Sequence, residues 1–193
     1  MKKMSIKTVV AVGIGAALFF VLARFVAIPS GIPNTSICLQ YAVLALFAIL
    51  YGPVAGGLIG FIGHTLGGLI GFIGHTLGDL SWGGSPWWSW VLASAMVGVI
   101  IGLVSKKIDL SSGRFGKKEL LTFVLTTLVA MAISWIVVAP VLDIVIYAEP
   151  AKKVFAQGLV AGASNFVTTA VIGSLLMLAY TKTIAKSGSL KQE

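Results

Sequence analysis

The residues best equipped for chemistry lie in "HTLGDLSWGGSPWWSW", from His75 to Trp90. An imidazole and a carboxylate, His75 and Asp79, precede four tryptophans within nine residues: Trp82, Trp87, Trp88 and Trp90. Indole faces stack on flat rings, and the indole N–H donates a hydrogen bond. A neighbouring imidazole and carboxylate can fix a ring nitrogen or a hydroxyl. This is the make-up of a pocket for a small, flat, polar ring compound. The bland alternative is an aromatic belt, with indoles anchored at headgroup level. Four so close together, beside His75 and Asp79, exceed what anchoring needs.

Other polar groups stand in apolar surroundings. Asn34, Gln40 and Asn165 carry amides. Each either ties helices together or faces a cavity, because an unsatisfied polar group inside a span is costly. Arg24 either snorkels to headgroups or meets a ligand. Asp143 is open to both roles, and Tyr147 and Glu149 are expected as solvated loop residues. Nothing is arranged for catalysis. "SSGRFGKKE" lacks the spacing of a phosphate-binding loop. "GIGAAL" is not a dinucleotide fingerprint, and two histidines without clustered cysteines or carboxylates make a poor metal site. No metal, no cofactor and no enzymatic activity are expected. Cys38, the single cysteine, excludes an internal disulfide and reads as a small buried residue.

The elements that must position these groups follow from composition. Of 193 residues, 58% are hydrophobic and 10% charged, with mean hydropathy +1.01. A soluble domain carries about 25% charged residues. The apolar runs approach or exceed the ~20 residues that cross a bilayer as helix, and they are continuous, unlike the alternating strands of a β-barrel. The reading is an all-α integral membrane protein, one compact bundle of six transmembrane helices over 1–193. The helices are expected at about 5–27, 35–51, 54–78, 87–105, 118–140 and 154–184. Pro29, Gly31 and Pro33, Gly52-Pro53, Gly83-Gly84-Ser85-Pro86, Ser111-Ser112-Gly113 and Pro150 mark the breaks. The first apolar stretch is longer than a signal-peptide core and is read as a retained helix.

Six spans put both termini on one side, together with 11 of the 14 basic residues. The positive-inside rule makes that side cytoplasmic. The net charge of +8 is then a topology signal and a fit to anionic lipid. It is not a nucleic-acid surface, since the charges sit in short interhelical segments. Loops "IPSGIPNTS", "GDLSWGGSPWWSW" and "APVLDIVIYAEPAKK" face outward. In helix 1, Ala11 and Gly15 are four apart, as are Gly13 and Ala17. Such spacing lets another helix approach closely, either inside the bundle or on a partner.

These features together resemble a known family. "IPNTSICLQYAVLALFAILYGPVAGGLIG", "GHTLGDLSWGGSPWWSW", the small face at Ala11 and Gly15, and "GASNFVTTAVIG" are similar in order and plan to the S components of energy-coupling factor (ECF) vitamin importers. The resemblance implies a bacterial plasma-membrane subunit that captures a vitamin at its outer face. It implies as partners a transmembrane coupling subunit (T component) and two cytoplasmic ATPases, with delivery by toppling of the S component in the membrane. It places docking at Ala11 and Gly15, although the family's usual pair is two alanines. Within the family the chain looks most like a hydroxymethylpyrimidine or pyridoxine branch. The rival class is a self-sufficient secondary transporter or channel, which would need coupling charges in its spans. A purely structural membrane subunit is a second rival.

One stretch is unusual. "GLIGFIGHTLG" occurs twice in succession, as Gly57–Gly67 and Gly68–Gly78. Eleven residues are within about 20° of three full helical turns, so the repeat keeps the helix face. His64 and His75 then point the same way, about 16.5 Å apart. The resemblance has one copy, followed by the acidic residue and the aromatic loop. That context belongs to the second copy, so the site role is assigned to His75 and Asp79. His64 is expected as a neutral, hydrogen-bonded buried residue, with a two-histidine proton relay as the alternative.

Overall fold

The computed structural model describes residues 4–76 and 86–189, with side chains for 4–67 and 86–184. The described chain is helical apart from one short hairpin. Its elements are α1 (Ile6–Phe25), β1 (Ile28–Pro29), β2 (Ser36–Ile37), α2 (Gln40–Tyr51), α3 (Pro53–Thr76) and α4 (Trp88–Gly102). After a 3-10 turn come α5 (Lys117–Met131), a π-helical segment (Ala132–Val138), α6 (Ala139–Tyr147) and α7 (Ala151–Ser189). Among the described residues, three helical stretches are long and apolar enough to cross a membrane: Ile6–Phe25, Lys117–Tyr147 and Ala151–Ile184. Gln40–Tyr51 and Trp88–Gly102 are shorter apolar helices. This is the pattern of an all-α membrane protein.

Local chemistry sets the element ends. The Ser5 hydroxyl accepts the Thr8 N–H at 3.2 Å and starts α1. Gly52, at φ +88°, stops α2, and Pro53 opens α3 with a ring already suited to the first helical position. The glycines of α3 then let helices pack at backbone distance. A methyl group on Gly56 or Gly60 would strike the α4 backbone at Gly98 or Ser94, and one on Gly63 would strike Phe19 of α1. These glycines include the first copy of the repeat, which is thereby fixed against α1 and α4.

The hairpin pairs Ile28 with Ile37 and Pro29 with Ser36. It caps one end of the bundle, where the Gln157 amide of α7 donates to Pro33 O at 2.9 Å. The basic residues Lys106, Lys107, Arg114, Lys117 and Lys118 lie at the opposite end, past α4 and at the start of α5.

Two expectations need correction. The fifth helix does not stop at residue 140. It runs through the π-helical segment into α6 and ends at Tyr147, where Ala148 takes a left-handed conformation. Pro140 lacks an N–H, so the regular bond back to Ile136 cannot form. The helix widens instead of ending, with Ala139 N–H donating to Ser134 O. Asp143 therefore stands on a helix, not in a loop.

The second correction concerns Ala11 and Gly15, expected as the docking face. Both point inward. Ala11 is 4% exposed, and a methyl on Gly15 would lie 2.6 Å from Ile59 Cδ1 and 3.2 Å from Phe47 Cδ1. The pair brings α1 down onto α2 and α3. The outward face of α1 holds Gly13 and Ala17, flanked by exposed Val9, Val10, Ile14 and Val21.

Candidate functional site

At the hairpin end, the helices leave a cavity of about 570 Å³. Its walls come from most elements of the bundle. The α1–hairpin side contributes Ala23, Arg24, Ala27, Asn34 and Ser36. Deeper along α1 is Phe19, facing Tyr41 of α2 and His64 of α3. Trp90 of α4, Trp135 of the π-helical segment and Asn165 of α7 complete the ring, with Cys38 and Gln40 between the hairpin and α2.

The aromatic wall is continuous. Trp90 meets Trp135 edge-on at 5.0 Å between ring centroids, Trp135 meets Tyr41 at 5.8 Å, and Tyr41 meets Phe19 at 5.3 Å. Phe19 approaches His64 at 6.3 Å. T-shaped contacts of this kind set ring orientations as well as filling volume. A hydrogen-bonded chain fixes the polar tips. The Tyr41 hydroxyl and Ser94 Oγ are 2.9 Å apart, and Ser94 Oγ lies 2.7 Å from His64 Nδ1. The close approach of α3 to α4 at Gly60 is what brings His64 within reach of Ser94.

Other polar groups divide into two sorts. Asn165 Oδ1 accepts the Cys38 N–H at 3.0 Å, and the Thr168 hydroxyl donates to Cys38 O at 2.9 Å. These bonds tie the chain entering α2 onto α7. In contrast, Gln40 Oε1 and Trp135 Nε1 are buried without a partner among the described residues, as are the hydroxyls of Thr127, Ser134 and Thr169, which do not line the cavity. Most buried polar atoms find one, so an orphan acceptor and an orphan donor in one cavity wall call for an explanation. Arg24 makes no ion pair or hydrogen bond with any described residue.

Behind Trp90 lies a second cluster that is fully satisfied. Asp143 is 2% exposed and accepts from Trp87 Nε1 at 2.5 Å, Trp90 Nε1 at 3.0 Å and the Ser89 hydroxyl. The carboxylate is acceptor-only when ionised, and all three partners are donors. Trp87 stacks on Tyr147 at 4.1 Å, and the Tyr147 hydroxyl accepts the Trp88 N–H at 2.9 Å. Tyr147 is thus a packing residue, not a solvated loop residue.

The structure therefore separates the residues singled out in the sequence. Asn34, Gln40, Trp90 and Asn165 come together around the cavity. Asp143 and Trp87 form the neighbouring cluster, and neither lines the cavity. Trp88 is 39% exposed and stacks on Phe61 at 6.2 Å, facing away from it. Asp79 and Trp82 lie outside the described residues, as does the side chain of His75. Among the described side chains, the histidine that lines the cavity is His64, which is half-buried and hydrogen-bonded to Ser94, as the sequence reading expected. Tyr41 and Trp135 were not singled out in the sequence, and Arg24, open there to either role, lines the cavity. The available signal for His64 was distance along α3: counted from the Gly52-Pro53 turn, the first copy of the repeat is reached first.

Comparison with known proteins now decides the class. The family model described as "ECF-type riboflavin transporter, S component" matches residues 3–69 and 65–182, two segments that overlap across the junction of the two copies of the repeat. The chain belongs to the ECF-type riboflavin transporter S-component family. It is 52% identical to a UPF0397 protein of Exiguobacterium sp. over the whole of both chains. It is 51% identical to one of Lactobacillus helveticus, again over both whole chains. A Clostridium perfringens relative is 50% identical, over 99% of this chain and 97% of its own. Membership makes the chain a transporter component of the membrane and not an enzyme. The match supports the S-component class and not the finer expectation of a hydroxymethylpyrimidine or pyridoxine branch.

Proposed function

We propose that this chain is the substrate-binding subunit of an ECF importer, and that the cavity holding His64 and Trp90 is its ligand site. The observation that carries the proposal is a cavity with one continuous aromatic wall and a polar side formed by Arg24, Asn34, Ser36, Gln40 and Asn165. A flat ring with polar edges would stack on Trp90 and meet the polar side chains of Asn34, Ser36 and Arg24 in the same wall. Its volume falls within the range of small-molecule sites, about 300–1,000 Å³. The family's description names riboflavin, whose tricyclic ring fits this chemistry, so riboflavin is the first compound to test.

In this account the helices cross the membrane six times, the α5–π–α6 stretch counting once. Both termini and the basic end are cytoplasmic, and the hairpin end opens outward. The ATPases and the T component supply the energy that this chain lacks a nucleotide loop to provide. The self-sufficient transporter loses support, because the family is one of S components. Docking on the T component is assigned to the outward face of α1 at Gly13 and Ala17, where nothing lies within 4 Å of a Cβ built at Gly13.

Two measurements test this. Purified protein should bind riboflavin, or retain a flat ring compound identifiable by mass spectrometry. Trp90→Ala should weaken that binding at least tenfold, since a lost aromatic stack is worth on the order of 1 kcal/mol beyond its area. Gly13→Trp should abolish uptake in cells and spare ligand binding. Uptake that survives, or binding that falls with it, would remove the docking assignment.

A further inference from the structure

The cavity carries a fixed charge that nothing described on its walls neutralises. Arg24, on the last turn of α1, lines it between Ala23 and Ala27. The other walls contribute Cys38 ahead of α2, Tyr41 from α2, His64 from α3, Trp90 from α4, Trp135 from the π-helical segment and Asn165 from α7. None of these is a carboxylate. The acidic residues among those described are engaged or distant. Asp143 is buried behind Trp90 with three donors. Glu149 pairs with Lys153 at 2.7 Å. Asp109 and Glu119 lie at the opposite end, where they line a separate cavity with Lys107 and Arg114.

From this we infer that the cavity is charge-selective: its ligand is a neutral or anionic ring compound with an electron-rich edge or an anionic tail directed at Arg24, and cationic ring compounds are rejected. The inference rests on the reading of this cavity as the ligand site. The physical reason is that an arginine stays protonated at any working pH and offers five donors with no acceptor. A carbonyl, carboxylate or phosphate presented to it gains a charge-assisted bond. A cationic ring gains stacking on Trp90 but shares the cavity with Arg24, and no carboxylate among the described lining residues offsets the repulsion. A site built for a cation would reverse this arrangement, placing a carboxylate against the aromatic wall. The division of the cavity also assigns an orientation. The ring lies against Phe19, Tyr41 and Trp135, and the electron-rich end lies toward Asn34, Ser36 and Arg24.

Cys38 makes the inference testable without knowing the ligand. It is the single cysteine, it is half-buried, and it lines the same cavity. In detergent-purified protein, Cys38 is labelled with three methanethiosulfonates of similar size: anionic ethylsulfonate, a neutral methyl reagent and cationic ethyltrimethylammonium. Each rate is divided by that reagent's rate with a free thiol. The anionic reagent should then be the fastest and the cationic the slowest, by on the order of fivefold each way for one charge across a partly screened cavity. Arg24→Gln should collapse the ratio, and Arg24→Glu should invert it. The neutral rate should stay unchanged in both variants, which shows that the cavity remains intact. If Cys38 is too slow to label, Ser36→Cys in a Cys38→Ser chain reads the same wall. Equal normalised rates in the unsubstituted protein, or a ratio indifferent to Arg24, would overturn the inference and leave the ligand site standing. A second arm separates the two readings. Riboflavin, or the retained compound, should protect Cys38 from the neutral reagent. Absence of protection would remove the ligand-site reading, and the inference with it.

Discussion

Two clusters share Trp90, and they differ in what is left over. Around Asp143 nothing is left over: three donors meet one carboxylate, and the neighbouring ring of Trp87 is stacked on Tyr147. Around the cavity, an acceptor on Gln40 and a donor on Trp135 are buried with no partner among the described residues, and Arg24, an exposed residue, lines the cavity without an ion pair to any of them. A buried polar cluster that is complete holds structure. One that is incomplete but walled by oriented aromatic rings is arranged for something that arrives later. Trp90 joins the two, because its N–H is spent on Asp143 while its ring faces the cavity. Asp143 therefore holds Trp90 in place and does not itself line the cavity.

The comparison can be broken most forcefully at Asp143. Asp143→Ala leaves Trp87 Nε1, Trp90 Nε1 and the Ser89 hydroxyl without their shared acceptor, at about 1–3 kcal/mol for each donor left buried and unpaired. A loss of roughly 3 kcal/mol or more in unfolding free energy, or no foldable protein, is expected from thermal denaturation in detergent. Asp143→Asn keeps the shape but turns an NH2 group toward donors, so it should be intermediate. Stability equal to the parent in both would mean that the carboxylate is not the organising group.

A smaller effect should come from Trp87→Phe. The stack on Tyr147 is kept and one hydrogen bond is lost, about 1 kcal/mol of stability. Ligand affinity should be unchanged, because Trp87 does not line the cavity. A selective loss of affinity would move Trp87 back into the site.

The smallest expected effect is also the most informative about the repeat. Removing either eleven-residue copy yields the same shortened sequence, because the copies are identical. His64 keeps its position above the Gly52-Pro53 turn, with Ser94 opposite. Helix phase changes by only about 20°. The shortened chain should fold and bind ligand within about threefold of the parent, since the contacts of the remaining copy with α1 and α4 are kept in phase. Loss of binding in a folded deletion variant would give the second copy a function of its own.

What the sequence could and could not convey follows from these same places. The helical class and most helix ends were legible, because apolar run length and the Gly52-Pro53 turn act locally. The end of the fifth helix was not. A proline such as Pro140 usually stops a helix, and only a π-helical turn with Ala139 N–H on Ser134 O carries the chain past it. The inward face of α1 was not legible either. Ala11 with Gly15 and Gly13 with Ala17 are two small faces on one helix, about 200° apart. The choice between them is made by Ile59 and Phe47 on other helices. At the site, Asn34, Gln40, Trp90 and Asn165 were recognisable as polar or amphipathic groups in apolar surroundings. His64 was assigned away from the site because its neighbours in sequence are less suggestive than those of His75. Its neighbours in space, Ser94 and Phe19, come from α4 and α1.

The account's central claim is that the cavity around His64 and Trp90 receives the ligand. The most direct measurement is the affinity of purified protein for riboflavin, or for the retained ring compound, in His64→Ala and His75→Ala side by side, with folding of each checked by its thermal transition. His64→Ala should weaken binding by about tenfold, the equivalent of one hydrogen bond and one aromatic contact, about 1.4 kcal/mol. Its stability should change little, since Ser94 keeps Tyr41 as a partner, and His75→Ala should bind as the parent does. Full affinity in His64→Ala, with the loss falling on His75→Ala instead, would contradict the account and place the ligand beyond the cavity described here.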